Sequence, residues 1–148
     1  MSVMTVARAV SRDWASSRHL WIALLAWVLL AAVLATIAGV EPRQIWFLLV
    51  FSPIIEETVF RAGLQEALLR HLSLSPLGAI GMTALIFAAA HMAIRGTATD
   101  FAVFVPALFI GAVYNRFRQL RQCIGLHSAM NAVWLAWALT IPPAASRL

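Results

Sequence analysis

Residues 52–65 read SPIIEETVFRAGLQ, and this stretch decides the fold, because two adjacent glutamates and an arginine stand in a run otherwise apolar enough to lie in lipid. Ionisable side chains within a bilayer are costly and face a bundle interior or a water-filled cavity, so these three predict partners on other helices. Helical phase divides them. Glu57 and Arg61 stand i,i+4 and share a face, whereas Glu56 is rotated by about 100° and has no basic neighbour at helical spacing on its own helix. Glu57 and Arg61 are therefore expected as a braced structural pair and Glu56 as the free carboxylate.

The remaining sequence supports a membrane setting. Of 148 residues 62% are hydrophobic and only 11% charged, with mean hydropathy +0.86, against about a quarter charged in an ordinary soluble domain. The net charge of +5 comes from eleven arginines and no lysine. These arginines cluster at the ends of apolar runs, where they set topology, and no nucleic-acid partner is expected. Arginine without lysine, together with abundant alanine, points to a bacterial coding sequence and hence to the bacterial inner membrane. A single cysteine, Cys123, excludes a disulfide framework and a multi-cysteine zinc site.

Working outward from 52–65, the apolar segments number five. Residues 20–40 carry no charge and are long enough to cross a hydrocarbon core of about 30 Å. A signal peptide is the rival for this segment, but its apolar core is only about 7–15 residues, so a retained helix is preferred. Further helices are expected over 45–69, 76–94 with Pro76 at its start, 101–115 and 122–141. The predicted fold is all-α, a polytopic transmembrane bundle of about five helices. Its parts are an N-terminal cytoplasmic segment with the first helix (1–44), a catalytic helical core (45–141) and a short C-terminal tail (142–148). A cytoplasmic N-terminus puts seven arginines inside (Arg8, Arg12, Arg18, Arg70, Arg116, Arg118, Arg121) and three outside (Arg43, Arg95, Arg147), as the positive-inside rule favours. The C-terminus then faces out.

Other helices also bring polar groups to membrane depth. At 1.5 Å per residue Glu56 lies about 21 Å from Arg70, His91 about 22 Å from Pro76, and Asn131 about 15 Å from Arg121. His127 comes out at only about 9 Å, a mismatch that implies a tilted or late-starting fifth helix and a cleft open to the cytoplasmic side. His127 and Asn131 are i,i+4 and share one stripe, as a two-donor oxyanion site would require. His91 stands where it could share a water with Glu56. A lone membrane histidine is more often an interhelical contact than a catalyst, and it is the coincidence of four such groups that favours chemistry. Glu66 and Arg70 read as an interfacial pair, and Trp21, Trp27, Trp46, Trp134 and Trp137 as lipid-facing or belt residues.

The ordered motifs EETVFR, FAAAH and HSAMN, spread over about residues 50–135, resemble those of the CPBP intramembrane protease family, which includes the type II CAAX prenyl endopeptidases. The resemblance implies a helical membrane protease in which Glu56 and His91 activate water, His127 and Asn131 stabilise the oxyanion, and Glu57 and Arg61 support the first motif. It implies a membrane-anchored protein or peptide as substrate, possibly a C-terminal sorting signal. No cofactor is expected. Other intramembrane protease signatures are missing: there is no His-Glu-x-x-His, no Gly-x-Ser-Gly, and the two aspartates, Asp13 and Asp100, lie outside the spans. Two alternatives remain open. Glu56, His91 and His127 are plausible ligands for a divalent metal, which would make this a metalloprotease, or the polar cluster joins helices in a non-catalytic immunity or chaperone-like protein.

Overall fold

The computed structural model describes residues 18–140, which form five helices and no strand. Helix α1 spans Arg18–Ile37. Helix α2 runs unbroken over 42–70 but alternates in type: α-helical at Pro42–Trp46, Ser52–Glu57 and Glu66–Arg70, π-helical at Phe47–Phe51 and Thr58–Gln65. Helix α3 covers Pro76–Arg95; a 3₁₀ turn, Ala98–Val103, leads into α4 (Phe104–Phe117), and α5 covers Leu120–Ala138. The predicted ends hold to within a few residues. The charged segment 1–17 and the tail 141–148, with Arg8, Arg12 and Arg147, lie outside the described residues.

Local chemistry explains the breaks. Pro76 stands at the first turn of α3, where its missing N–H costs nothing, and the Ser75 hydroxyl accepts the Gly78 N–H at 3.2 Å. Gly96, at φ +81°, ends that helix in the left-handed conformation. The first π turn of α2 follows from Pro53. Ser52 N–H bonds the Phe47 carbonyl five residues back, so the next carbonyl, that of Leu48, should receive residue 53, which as proline has no N–H. That orphaned carbonyl accepts the Asn131 side-chain amide at 2.9 Å from α5.

The exterior is apolar, as lipid requires: Ile37, Leu77, Ile94 and Val105 are all more than two-thirds exposed. Three helical stretches, His19–Ile37, Pro76–Arg95 and Ala98–Phe117, are long and apolar enough to span a membrane, and the third takes in Asp100, expected outside the spans, because the 3₁₀ turn that precedes α4 extends the helical stretch. α2 and α5 carry the polar load between them. Packing relies on small residues that bring backbones close. Ala31 and Ala35 of α1 meet Ala132 and Leu135 of α5 and Ile45 and Leu49 of α2. A second cluster joins Ala84 and Phe87 of α3 to Ala107 of α4, and a third joins Ile110 and Tyr114 of α4 to Cys123 of α5.

Helix α5 begins at Leu120, two residues before its expected start, and its first turn is packed into the bundle: Gln122 and Cys123 are fully buried and the Cys123 thiol points to the Ile110 carbonyl. Two tryptophans depart from expectation. The Trp21 ring lies over Gly125 and Trp27 donates its indole N–H to the Ala129 carbonyl at 3.3 Å, whereas Trp46, Trp134 and Trp137 are exposed, Trp134 also lining the cavity described below.

Gly111 of α4 packs tightly against α2 and α3. A methyl group there would sit 3.1 Å from Ile80, 3.2 Å from Gln65 and 3.3 Å from Arg61, all held in place by packing or hydrogen bonds. Gly111→Ala is expected to cost about 1–3 kcal/mol, as overpacking does. A lowered melting temperature in detergent, against an unchanged one for Gly81→Ala, where a methyl meets nothing, checks this.

Candidate active site

Along one face of α2, Glu57, Arg61 and Gln65 follow at intervals of four, all fully buried. The Glu57 carboxylate takes Arg61 Nε at 2.9 Å through Oε2, and its Oε1 takes His127 Nδ1 at 2.7 Å from α5. Arg61 Nη2 donates to the Ala107 carbonyl at 3.1 Å, and Gln65 Nε2 donates to the Gly111 carbonyl at 3.0 Å. Glu57 is thus more than the partner of Arg61 expected from helical spacing. It joins α2 to α5, while Arg61 and Gln65 join α2 to α4.

Glu56 points to the other side of this wall. One carboxylate oxygen accepts the Ser52 hydroxyl, and the other, Oε2, is buried without a hydrogen-bond partner. It lies 3.8 Å from His91 Nε2 and 3.7 Å from His127 Nε2. The remaining ring contacts assign the protons. His91 Nδ1 lies 3.0 Å from the Phe87 carbonyl, which can only accept, so Nδ1 carries the hydrogen and a neutral His91 turns the Nε2 lone pair toward Glu56. His127 Nδ1 donates to Glu57, which turns its Nε2 toward Glu56. Phe87 stacks close to His91, with centroids 4.3 Å apart, and limits its rotation.

Glu56, His91, His127 and Asn131 line one cavity of about 280 Å³, with Arg61 in its wall and Glu57 behind it. Every site residue anticipated from sequence is therefore found in one place. The placements add detail that spacing could not supply. One Asn131 N–H is engaged with Leu48, leaving the second for the cavity. The cavity runs from Glu56 toward Arg95, Thr99 and Asp100, at the end of the bundle opposite Glu66, Arg70 and Arg118. At that opposite end Glu66 gathers Arg70, Arg118 and the Tyr114 hydroxyl, so the expected Glu66–Arg70 pair is part of a larger cluster. Among the described residues no group of three His, Cys, Asp or Glu side chains is arranged to hold a metal ion.

Four contributors escaped the sequence reading: Ser52, Pro53, Gln65 and Arg95. Three of them stand four residues from a recognised group (Ser52 from Glu56, Gln65 from Arg61, Arg95 from His91), and that spacing was the available signal.

A polytopic helical bundle with carboxylates, imidazoles and an amide converging on a cavity inside it is a membrane protein built around a polar cluster. The chain belongs to the Type II CAAX prenyl endopeptidase Rce1-like family, whose model matches residues 17–133. Membership implies an intramembrane endopeptidase of the CAAX type. Comparison with curated proteins and with solved structures gave no match.

The Pro53–Leu48–Asn131 arrangement makes a testable coupling. Asn131→Ala leaves the Leu48 carbonyl without a partner and should cost about 1–3 kcal/mol of stability. Adding Pro53→Ala restores an N–H opposite that carbonyl, so Asn131→Ala should cost less in the Pro53→Ala background than in the wild type. A double-mutant cycle by thermal unfolding in detergent measures the difference; additive losses would show that Asn131 does not cap Leu48.

Proposed function

We propose that the protein hydrolyses a peptide bond in a membrane-anchored protein or peptide by a glutamate- and histidine-activated water, without a metal, with a C-terminal sorting signal as the favoured substrate. The carrying observation is the unpartnered Glu56 Oε2, 3.8 and 3.7 Å from the two imidazole Nε2 atoms at the cavity wall. Acceptors at that separation are both within reach of one water at about 2.8 Å from each.

Proton counting supports this reading. A water bonded to all three groups has only two hydrogens to donate, so this reading places a proton on one of the three. The charge sum asks for the same proton: two carboxylates, Glu56 and Glu57, and one guanidinium, Arg61, leave one net negative charge in a low-dielectric site. One added proton balances it. On His127, already hydrogen-bonded to Glu57 through Nδ1, that proton makes Nε2 a donor.

The steps follow from these roles. Glu56 takes a proton from the water held against His91, and the hydroxide oxygen bonds to the scissile carbonyl carbon. His127 Nε2–H and the free Asn131 N–H donate to the resulting oxyanion. Loss of one such donor typically costs about 3–4 kcal/mol of transition-state stabilisation. As the carbon–nitrogen bond breaks, protonated Glu56 returns its proton to the leaving amine. Ser52 orients Glu56, and Glu57 holds the His127 ring.

The test sets neighbouring glutamates against each other. Glu56→Gln preserves shape but cannot accept a proton, so cleavage of a membrane-anchored model peptide should vanish while the melting temperature holds. Glu57→Gln weakens a buried pair with Arg61, whose loss can cost about 3–5 kcal/mol, and stability should fall together with activity. Cleavage by the wild type should be insensitive to a strong chelator; chelator-sensitive cleavage would instead favour the metal-dependent version, and absence of cleavage the non-catalytic one.

The same reading sets the protein in the bacterial inner membrane with its N-terminus in the cytoplasm and its C-terminus outside. It is supported by the gathering of Arg70 and Arg118 at one end of the bundle with Arg95 at the other. A reporter active only in the cytoplasm, fused after Leu148, should be silent; activity there would reverse the topology.

A further inference from the structure

At the end of the bundle away from the candidate active site, a groove of about 880 Å³ lies between the last turns of α2 and α4, with Pro76 of α3 on its wall. Helix α3 is 20 residues long and so about 30 Å from end to end, the thickness of a hydrocarbon core. Pro76 therefore marks one surface of the bilayer, and the charged rim of the groove, Glu66, Arg70, His71 and Arg118, stands close to it. Below the rim the wall is made by Ala62, Gly63 and Ala67 of α2. Gly63 lies seven residues before Arg70, about 10 Å deeper along the helix. A methyl group added to it would meet only the Thr58 carbonyl oxygen beyond its own turn, at 3.6 Å. The groove thus continues from a polar rim into apolar depth, kept open by small residues.

The rim is one saturated acid between two cations. Glu66 Oε2 accepts Arg70 Nε at 2.6 Å, while Oε1 accepts the Tyr114 hydroxyl at 3.1 Å and Arg118 Nη1. With both carboxylate oxygens engaged, Glu66 is poorly placed to receive an ammonium group. A guanidinium has five N–H donors, and these contacts take one from each arginine. The side chains of Arg70 and Arg118 are 74% and 46% exposed where they line the groove, and two guanidiniums against one carboxylate leave a net positive charge. Arg118 also stands at φ +54°, the left-handed conformation that ends α4 and favours glycine. Arginine there costs backbone energy, which contacts of its side chain must offset; the guanidinium lies 5.8 Å over the Tyr114 ring and on Glu66.

The matching ligand carries an anion with several acceptor oxygens at the bilayer surface and an apolar chain beneath it. A lipid phosphate meets both requirements, since its oxygens can accept from two guanidiniums at once, and basic pockets between membrane helices hold such headgroups. We propose that this groove binds an anionic phospholipid, with its phosphate on Arg70 and Arg118 and one acyl chain along Ala62, Gly63 and Ala67. The site is separate from the candidate active site and does not rest on the protease reading.

The probe is a phosphatidylglycerol labelled on one acyl chain, its binding to the full chain in uncharged detergent followed by fluorescence anisotropy. Unlabelled phosphatidylglycerol, phosphatidylcholine, diacylglycerol and inorganic phosphate serve as competitors. Phosphatidylglycerol should compete at about tenfold lower concentration than phosphatidylcholine, and diacylglycerol, which has no phosphate, should compete least. Arg70→Gln and Arg118→Gly should each raise Kd by about tenfold, as for the loss of a charged hydrogen bond. Glycine suits the backbone at 118, so the melting temperature of Arg118→Gly without lipid should hold while its affinity falls. Ala67→Phe fills the groove below the rim and should weaken lipid binding with both arginines intact. Equal competition by phosphatidylglycerol and phosphatidylcholine, or an affinity unchanged in both arginine variants, overturns the proposal. Inorganic phosphate that competes as well as the lipid, with Ala67→Phe without effect, assigns the groove to free phosphate and overturns the lipid.

Discussion

The Glu57 carboxylate is the group on which the rest of the arrangement depends. With no exposure to solvent or lipid, it has one oxygen on Arg61 and the other on His127, so a single side chain satisfies a buried cation and positions an imidazole on a different helix. Each partner would be costly alone. An isolated guanidinium in the membrane interior has no water to solvate it, and an unheld histidine has neither its tautomer nor its ring orientation fixed. Arg61 completes its hydrogen bonds on the Ala107 carbonyl, and Gln65 follows on that of Gly111. Through these contacts α4 and α5 are docked on one face of α2. Attraction between helices in lipid cannot come from the hydrophobic effect, since lipid tails are as apolar as leucine, so such polar contacts and close packing of small residues must supply it.

The same helix illustrates how an irregular backbone can serve a site. Pro53 denies Leu48 a hydrogen-bond partner, the helix widens into a π turn, and the exposed carbonyl is met by Asn131 from α5. An unsatisfied carbonyl in lipid would be costly; here it becomes the anchor of an amide at the cavity wall. Ser52, beside Pro53, reaches Glu56. The break in regular hydrogen bonding thus lies within one turn of the carboxylate that the proposed chemistry uses, and it helps to hold both that carboxylate and the amide opposite it.

Much of this protein was legible in its sequence. Apolar runs of helical length, bounded by arginine and by Pro76 and Gly96, determine the five helices, because a bilayer allows a spanning chain few alternatives to the helix. The i,i+4 pairs Glu57–Arg61, Glu66–Arg70 and His127–Asn131 determine which side chains share a face, because helical phase is local geometry. Glu56, His91, His127 and Asn131 stood out because polar groups at membrane depth are rare.

Only the tertiary structure decided how these faces meet. That His127 turns Nδ1 to Glu57 and Nε2 to Glu56, that Asn131 serves Leu48, and that the cavity extends toward Arg95 all depend on the offset of α5 against α2 and α4. No local rule sets that offset. It follows from where Cys123 and Gln122 sink into the bundle and how closely Gly111 lets α4 approach Arg61 and Gln65. The sequence determined the parts and the phase of each helix. Packing between helices determined depth, register and the direction of the cavity, because these are set by contacts between residues distant in the chain.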